Sequence, residues 1–303
     1  MGMRVATFAI SQQMIAAALK TQSTMADQQM QEASGVVSSD FGGLGSSTQQ
    51  VLNLQVSVTR AQSYIDAATQ ADSKIQVMYS AVNSIADLTT QFRTLLTAAS
   101  NAASTDAASV TQSAQDMLAT MASLLNTKYN GSYLFGGSRT EQAPVDVSAS
   151  TYAAATSPST AATSYYQGDS AAASVRVSDS QTVSYGVTAD NTAFEQIMRA
   201  MNLVANNSPL STDTLNEALD LASSSISALG VVQTKISNAS ASIEKASASQ
   251  TEYQSYAQTL GSDLTSVDVA AVTASLATYQ AQLTASYSAI SKVQSLNLAS
   301  YLH

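Results

Sequence analysis

Residues 51–99, VLNLQVSVTRAQSYIDAATQADSKIQVMYSAVNSIADLTTQFRTLLTAA, decide the fold. Apolar side chains recur there at three- and four-residue steps: Leu54, Val58, Ala61, Ile65 and Ala68, then Ile75, Met78, Val82, Ile85, Leu88, Phe92, Leu95 and Ala99. A mean step of about 3.5 residues keeps the row on one face, where a partner helix can cover it. No proline or glycine interrupts the run. At the helical rise it spans roughly 75 Å, so the spacing predicts a rod along which other parts of the chain must pack. Asp72 breaks the apolar row and reads as a register-setting polar position.

A matching row lies towards the other end: Leu215, Leu219, Ala222, Ile226, Leu229, Val232, Ile236, Ala239, Ile243 and Ala246, continuing through Tyr253, Ala257, Leu260, Leu264 and Val267. Asp213 is the expected cap of this second long helix. Similar step and length predict that the two rows pack on each other. Between them, a third helix runs from Asp106 to about Lys128, with Val110, Ala114, Met117, Leu118, Met121, Leu124 and Leu125 on one face, and is expected to fold back antiparallel. Then the period changes. Asn130-Gly131 is a hairpin-turn dipeptide, and Tyr133–Gly137 reads as a short strand. From 140 to 190 come Pro144, Pro158, an Ala/Ser/Thr-rich stretch at 148–164, and strand-like runs at Ser174–Val177 and Thr182–Tyr185. Tyr165, Tyr166 and Tyr185 read as packing residues of this β-rich insert. Helix resumes near Thr192.

Residues 4–33 form the first predicted helix, with Phe8, Ile15, Ala18, Leu19 and Met25 on one face and Ile10, Met14 and Ala17 beside them. Gly35 ends it. The last helix carries Leu276, Tyr279, Leu283, Tyr287, Ile290 and Val293 and closes on Leu296, Leu298, Tyr301 and Leu302. The order is nearly palindromic, so the insert reverses the chain and brings the two terminal helices together. Apolar faces this wide exceed what one partner helix covers. The predicted interface to neighbouring subunits is therefore Phe8, Ile15, Leu19, Met25, Leu276, Leu283, Ile290, Leu296, Leu298 and Leu302.

The fold class predicted is mainly α: an elongated antiparallel helical bundle or coiled-coil rod with a small β-rich inserted domain. The expected divisions are 1–37 and 263–303 as terminal axial helices, 38–139 and 191–262 as the two parts of the rod, and 140–190 as the outer domain.

Composition narrows the function. The chain has 303 residues, 12 Lys and Arg against 21 Asp and Glu, and no basic cluster; nucleic-acid binding, which needs cations to displace counterions, is not expected. Cysteine is absent and the one histidine is His303, which leaves no His-based triad and no thiolate or paired-histidine zinc site. Gly42-Gly43-Leu44-Gly45 lacks the Lys-Ser/Thr of a phosphate loop and reads as a hinge. No catalytic residue, metal or cofactor is expected, nor any membrane insertion, since no run of about 18 apolar residues occurs. The N-terminus does not follow the pattern of a cleaved leader.

Several segments resemble the flagellin superfamily, whose two chain ends form an axial helical coiled coil and whose middle forms outer domains. They are Glu32–Val37 at a helix end, and Asn126–Gly137 at the passage out of the third helix. Within the superfamily the chain is most similar to the hook-associated proteins of the hook–filament junction. Tyr133–Gly137 followed by Pro144, Tyr166–Asp169 ahead of the Val175/Val177 strand, and the ending Asp268–Ala270 through Ser295–Leu302 carry that choice. The resemblance implies an extracellular adapter of the bacterial flagellum, exported without a cleaved signal peptide. Its implied partners are copies of itself, another hook-associated protein, flagellin, and an export chaperone shielding 264–302, with both ends disordered before export. A filament-forming flagellin is the alternative.

Overall fold

The computed structural model describes residues 2–101 and 107–295, and the side chains among them except those of 2–8 and 294. Its elements are α1 (Gly2–Ser34), a 3-10 stretch (Phe41–Ser47), α2 (Thr48–Asn101), α3 (Ala107–Leu125), β1 (Lys128–Tyr129), β2 (Ser132–Tyr133), β3 (Ser174–Arg176), β4 (Thr182–Ser184), α4 (Thr192–Asn206), α5 (Thr212–Thr265) and α6 (Val269–Ser295). They fall into two compact units, a central one of 60–253 and a terminal one of 1–59 with 254–303.

In the central unit α2 and α5 run antiparallel. Ser240 Oγ donates to Asp72 Oδ1 at 2.7 Å and Gln233 Nε2 to Asn83 Oδ1 at 2.7 Å, so residues later in α2 face residues earlier in α5. Asp72 is thus half-buried in the seam and bonded across it, while Gln76 Nε2 donates to its other oxygen at 2.8 Å. The α2 seam is Ala68, Ala71, Ile75, Met78, Val82, Ile85, Phe92, Leu96 and Ala99. Leu96 is fully buried where Leu95 was expected; both follow Phe92 at a helical step, so the spacing alone does not separate them.

The end of α3 lies beside the middle of α2, since Leu124 and Thr127 line a surface groove with Ala81 and Ser84; the helix does fold back. It stops at Leu125, three residues before the expected Lys128, because Thr127 Oγ1 and N both turn back onto Leu124 O. Asp106, its expected cap, lies outside the described residues. Asn130 and Gly131 take φ of 47° and 82°, the left-handed pair that a two-residue hairpin between β1 and β2 requires. The second strand covers only Ser132–Tyr133, short of the expected Gly137, because Gly137 turns at φ 69° onto Asp169.

Residues 140–190 hold few strands, and their apolar side chains enter the helical core. Phe135 meets Phe194 edge-on at 5.9 Å, and Tyr165, Val177, Tyr185 and Val187 join the cluster built on Ile197, Met198 and Met201. Tyr165 is fully enclosed; burial pushes its hydroxyl well above the usual phenol range, and it donates to Ala189 O at 3.0 Å. The Ala/Ser/Thr-rich stretch has no regular structure, yet α4 and α5 hold it down. Asn202 accepts from Ala155 N and donates to Ala153 O, buried Glu195 accepts from Ala162 N, and Glu217 accepts from Ser159 N. Asp169 binds the Ser138 hydroxyl and the amides of Ser138 and Ala171; these bonds lower its pKa to about 2. Asn191 caps α4, accepting from Ala193 N at 3.0 Å. Ser211, rather than Asp213, caps α5 by accepting from Thr214 N at 3.1 Å. Tyr253 leaves the α5 seam and stands 47 % exposed.

Candidate assembly surface

The terminal unit pairs α1 with α6 antiparallel. Gly35, in the left-handed region at φ 71°, closes α1 by donating to Gln31 O at 2.8 Å. Just beyond it, Val37 N donates to Thr265 O and Val267 N to Gly35 O, an antiparallel bridge that ties the exit of α1 to the entry of α6. Asp268 caps α6 by accepting from the amides of Ala270 and Ala271 at 3.0 and 3.1 Å. Thr273 Oγ1 donates to Glu32 at 2.8 Å. The two ends of the chain are therefore joined at one defined corner.

From that corner the helices share a seam of unequal halves. On α6 it is Val272, Leu276, Tyr279, Leu283, Ser286, Ile290 and Val293, a strict three–four alternation. On α1 the covered positions are Ser11, Met14, Ile15, Ala18, Thr21, Thr24, Met25, Gln28 and Gln31, of which only Ala18 is fully buried. Large residues of α6 thus rest on a strip of α1 that mixes Met14, Ile15 and Met25 with small and polar residues. Other large residues of α1 lie outside it. Leu19 is 60 % exposed and Met30 64 %; at the helical turn of about 100° per residue they stand roughly a third of a turn from the seam. Ile10, also exposed, flanks it on the other side. The back of α6 is the opposite case: Ala270, Ala274, Ala277, Ala281 and Ala285 are all exposed. Lys292 is the only charged residue in α6. A helix face with so little charge and so much alanine is poorly matched to water.

The predicted interface residues divide accordingly. Leu276 and Leu283 are covered by α1 inside the chain, Ile15, Met25 and Ile290 are half-covered at the seam's margin, and Leu19 faces outward. The side chain of Phe8, and Leu296, Leu298 and Leu302 altogether, lie outside what is described. Met30 and Val269, which the sequence reading did not place in the interface, are exposed as well, and Met30 falls eleven residues after Leu19 on the same stripe. Tyr287, expected in the seam, is 53 % exposed because Ser286 takes that position in the alternation. No helix among the described residues is long and apolar enough to cross a membrane.

Residues 5–140 match the family described as the bacterial flagellin N-terminal helical region. The chain also superposes on a protein from Vibrio parahaemolyticus assigned as a flagellar hook-associated protein, with TM-score 0.61 and 15 % identity over 72 % of this chain and 97 % of that one. At that identity the likeness establishes the fold. Looser superpositions are found with Bacillus cereus FlgL (TM-score 0.41, 13 % identity, 72 % and 98 % covered) and with flagellar hook associated protein-3 from Legionella pneumophila (0.47, 13 %, 71 % and 97 %). No curated protein sequence matches the chain.

Proposed function

We propose that the chain is a structural adapter of the bacterial flagellum, without catalytic activity, that joins hook to filament through its terminal helices. The observation that carries this reading is the α1–α6 pair, which leaves Leu19 and Met30 outside its own seam and gives α6 a single charge. Burying a side chain of that size is worth about 1.5–3 kcal/mol, and no described residue of this chain covers them, which leaves the cover to another chain. Within the chain, large residues of α6 sit on a strip of α1 in which small and polar residues accompany Met14, Ile15 and Met25. Between copies the inverse pairing is open: the Leu19/Met30 stripe of one copy on the alanine back of α6 in the next. A contact between unlike faces is head-to-tail and propagates rather than closing on itself.

The same logic assigns the partners. Copies of the chain, a further hook-associated protein and flagellin would each present such helices, and an export chaperone would mask 264–302 on the way out of the cell. The expected location is the extracellular flagellum, reached without a cleaved leader. The test is a strain lacking the gene. It should build hooks without filaments and release flagellin into the medium; normal filaments in that strain would overturn the adapter reading. Purified chain that grows long filaments unaided would favour the alternative, a filament-forming flagellin.

A further inference from the structure

An open groove of about 640 Å³ lies between the β3–β4 hairpin and the outward face of α5, with Val183 and Ser184 on one side and Gly230, Val231 and Thr234 on the other. Two of its features have no use in the chain's own packing. Gly230 stands in mid-helix, where glycine is unfavourable relative to alanine, yet no heavy atom lies within 4 Å of where its Cβ would be. Nothing inside the chain asks for the missing side chain. Val231 beside it is 70 % exposed.

The second feature is the free edge of β4. Val177 N donates to Gln181 O at 3.0 Å and Tyr185 N to Ala173 O at 2.9 Å, and the register sets Val183 opposite Val175. The residues that bond to β3 are thus the odd-numbered ones, and Thr182 and Ser184 turn their N–H and C=O groups away from it. The hairpin is pinned where it is: Asp179 accepts from Tyr64 Oη at 2.8 Å and from Arg60 Nη1 at 3.2 Å, and Arg176 Nη2 donates to Asp179 O at 2.6 Å. Lys235 also lines the groove and forms no ion pair among the described residues.

We propose that this groove receives an extended, acidic peptide segment of a partner chain, added as a third strand to β4. Its backbone passes over Gly230, an apolar side chain meets Val231, and a carboxylate meets Lys235. A helix in the same place would leave the edge groups of Thr182 and Ser184 unpaired, whereas a strand uses them. The missing Cβ is then explained as room for main chain. This binding mode does not depend on the terminal helices, so it stands or falls apart from the adapter reading.

The probe is the peptide acetyl-Thr-Val-Glu-Val-Thr-amide added at millimolar concentration to the full chain. Amide exchange at Thr182 and Ser184 should slow, with smaller changes elsewhere in the hairpin. A Gly230→Leu variant should melt at or above the parent's temperature and bind the peptide about tenfold more weakly, since its side chain fills the strand's path. Replacing the peptide's Glu by Lys should also weaken binding. Unchanged exchange at both amides, or undiminished binding to Gly230→Leu, would overturn the proposal. So would slowed exchange at both amides that depends on protein concentration and needs no peptide, because the occupant would then be a second copy.

Discussion

Where α1 meets α6, the α1 side of the seam is Ser11, Met14, Ile15, Ala18, Thr21, Thr24, Met25, Gln28 and Gln31. Where α2 meets α5, the α2 side is Ile75, Met78, Val82, Ile85, Phe92 and Leu96, each at most 1 % exposed. Both are antiparallel helix pairs in one chain, but the first leaves Leu19 and Met30 outside. Of the large exposed apolar residues among those described, only Tyr79, Val231 and Tyr253 belong to the central unit; Ile10, Leu19, Met30, Phe41, Val56, Tyr256, Val269 and Tyr287 belong to the terminal one. The central unit is finished by folding. The terminal unit keeps most of the large exposed apolar residues after folding.

The comparison predicts where a lost side chain is felt. Phe194 is fully buried and stacked edge-on against Phe135; Phe194→Ala should cost about 3–5 kcal/mol in chemical denaturation of the central unit. A smaller loss would mean that the insert does not share the helical core. Leu283 fills the α1–α6 seam from the α6 side. Leu283→Ala should cost about 2 kcal/mol, and amide exchange should accelerate in α1 and α6 while the α2 seam keeps its protection. If both regions loosen together, the two units unfold as one and the contrast fails.

How far these differences could be read from residue order depends on which partner sets each face. The α2 row has apolar residues on one face only, so periodicity fixes what it buries, with an ambiguity of one position at Leu95 and Leu96. Asn130-Gly131 specifies its own hairpin. Helix α1 has apolar residues around most of its girth, so its own pattern cannot choose the inner face; the large α6 row makes that choice. Leu19 therefore stays exposed, whereas Leu276 and Leu283 look alike in sequence and end up covered. The stretch 148–164 has no period to read. Its order comes from Glu195, Asn202 and Glu217, which are distant in sequence and contribute side-chain hydrogen bonds rather than apolar surface.

Asp169 sharpens the contrast on the side of the central unit. Its carboxylate is held at a pKa of about 2, below the ordinary 3.8, chiefly by the Ser138 hydroxyl. A depressed acid contributes stability that is fully present above its unfolded pKa and is lost as pH falls through the folded one. Asp169→Asn should thus lower the denaturation midpoint of the central unit above pH ~4, with the gap to the parent closing as pH falls towards ~2. The terminal unit should show no matching change in exchange between parent and variant. A gap that persists unchanged at pH ~2 would show that the Ser138 contacts do not depend on the charge.

The smallest effect on folding should accompany a complete effect on assembly. Leu19 is already 60 % exposed, so Leu19→Glu removes little from the lone chain and should move its stability by no more than about 0.5 kcal/mol. Between copies the same change places a carboxylate against the alanine back of α6, where Lys292 is the only charge on the helix and lies near its far end. An unpaired charge buried in such a contact costs more than the leucine contributed. Cells carrying the variant should export it normally yet fail to retain filaments, while Leu19→Met, which keeps the size and loses no apolar surface, should restore them. Retained filaments with Leu19→Glu would mean that the outward stripe of α1 stays in water after assembly, and that the mixed seam of the terminal pair has some reason other than leaving Leu19 and Met30 to a neighbour.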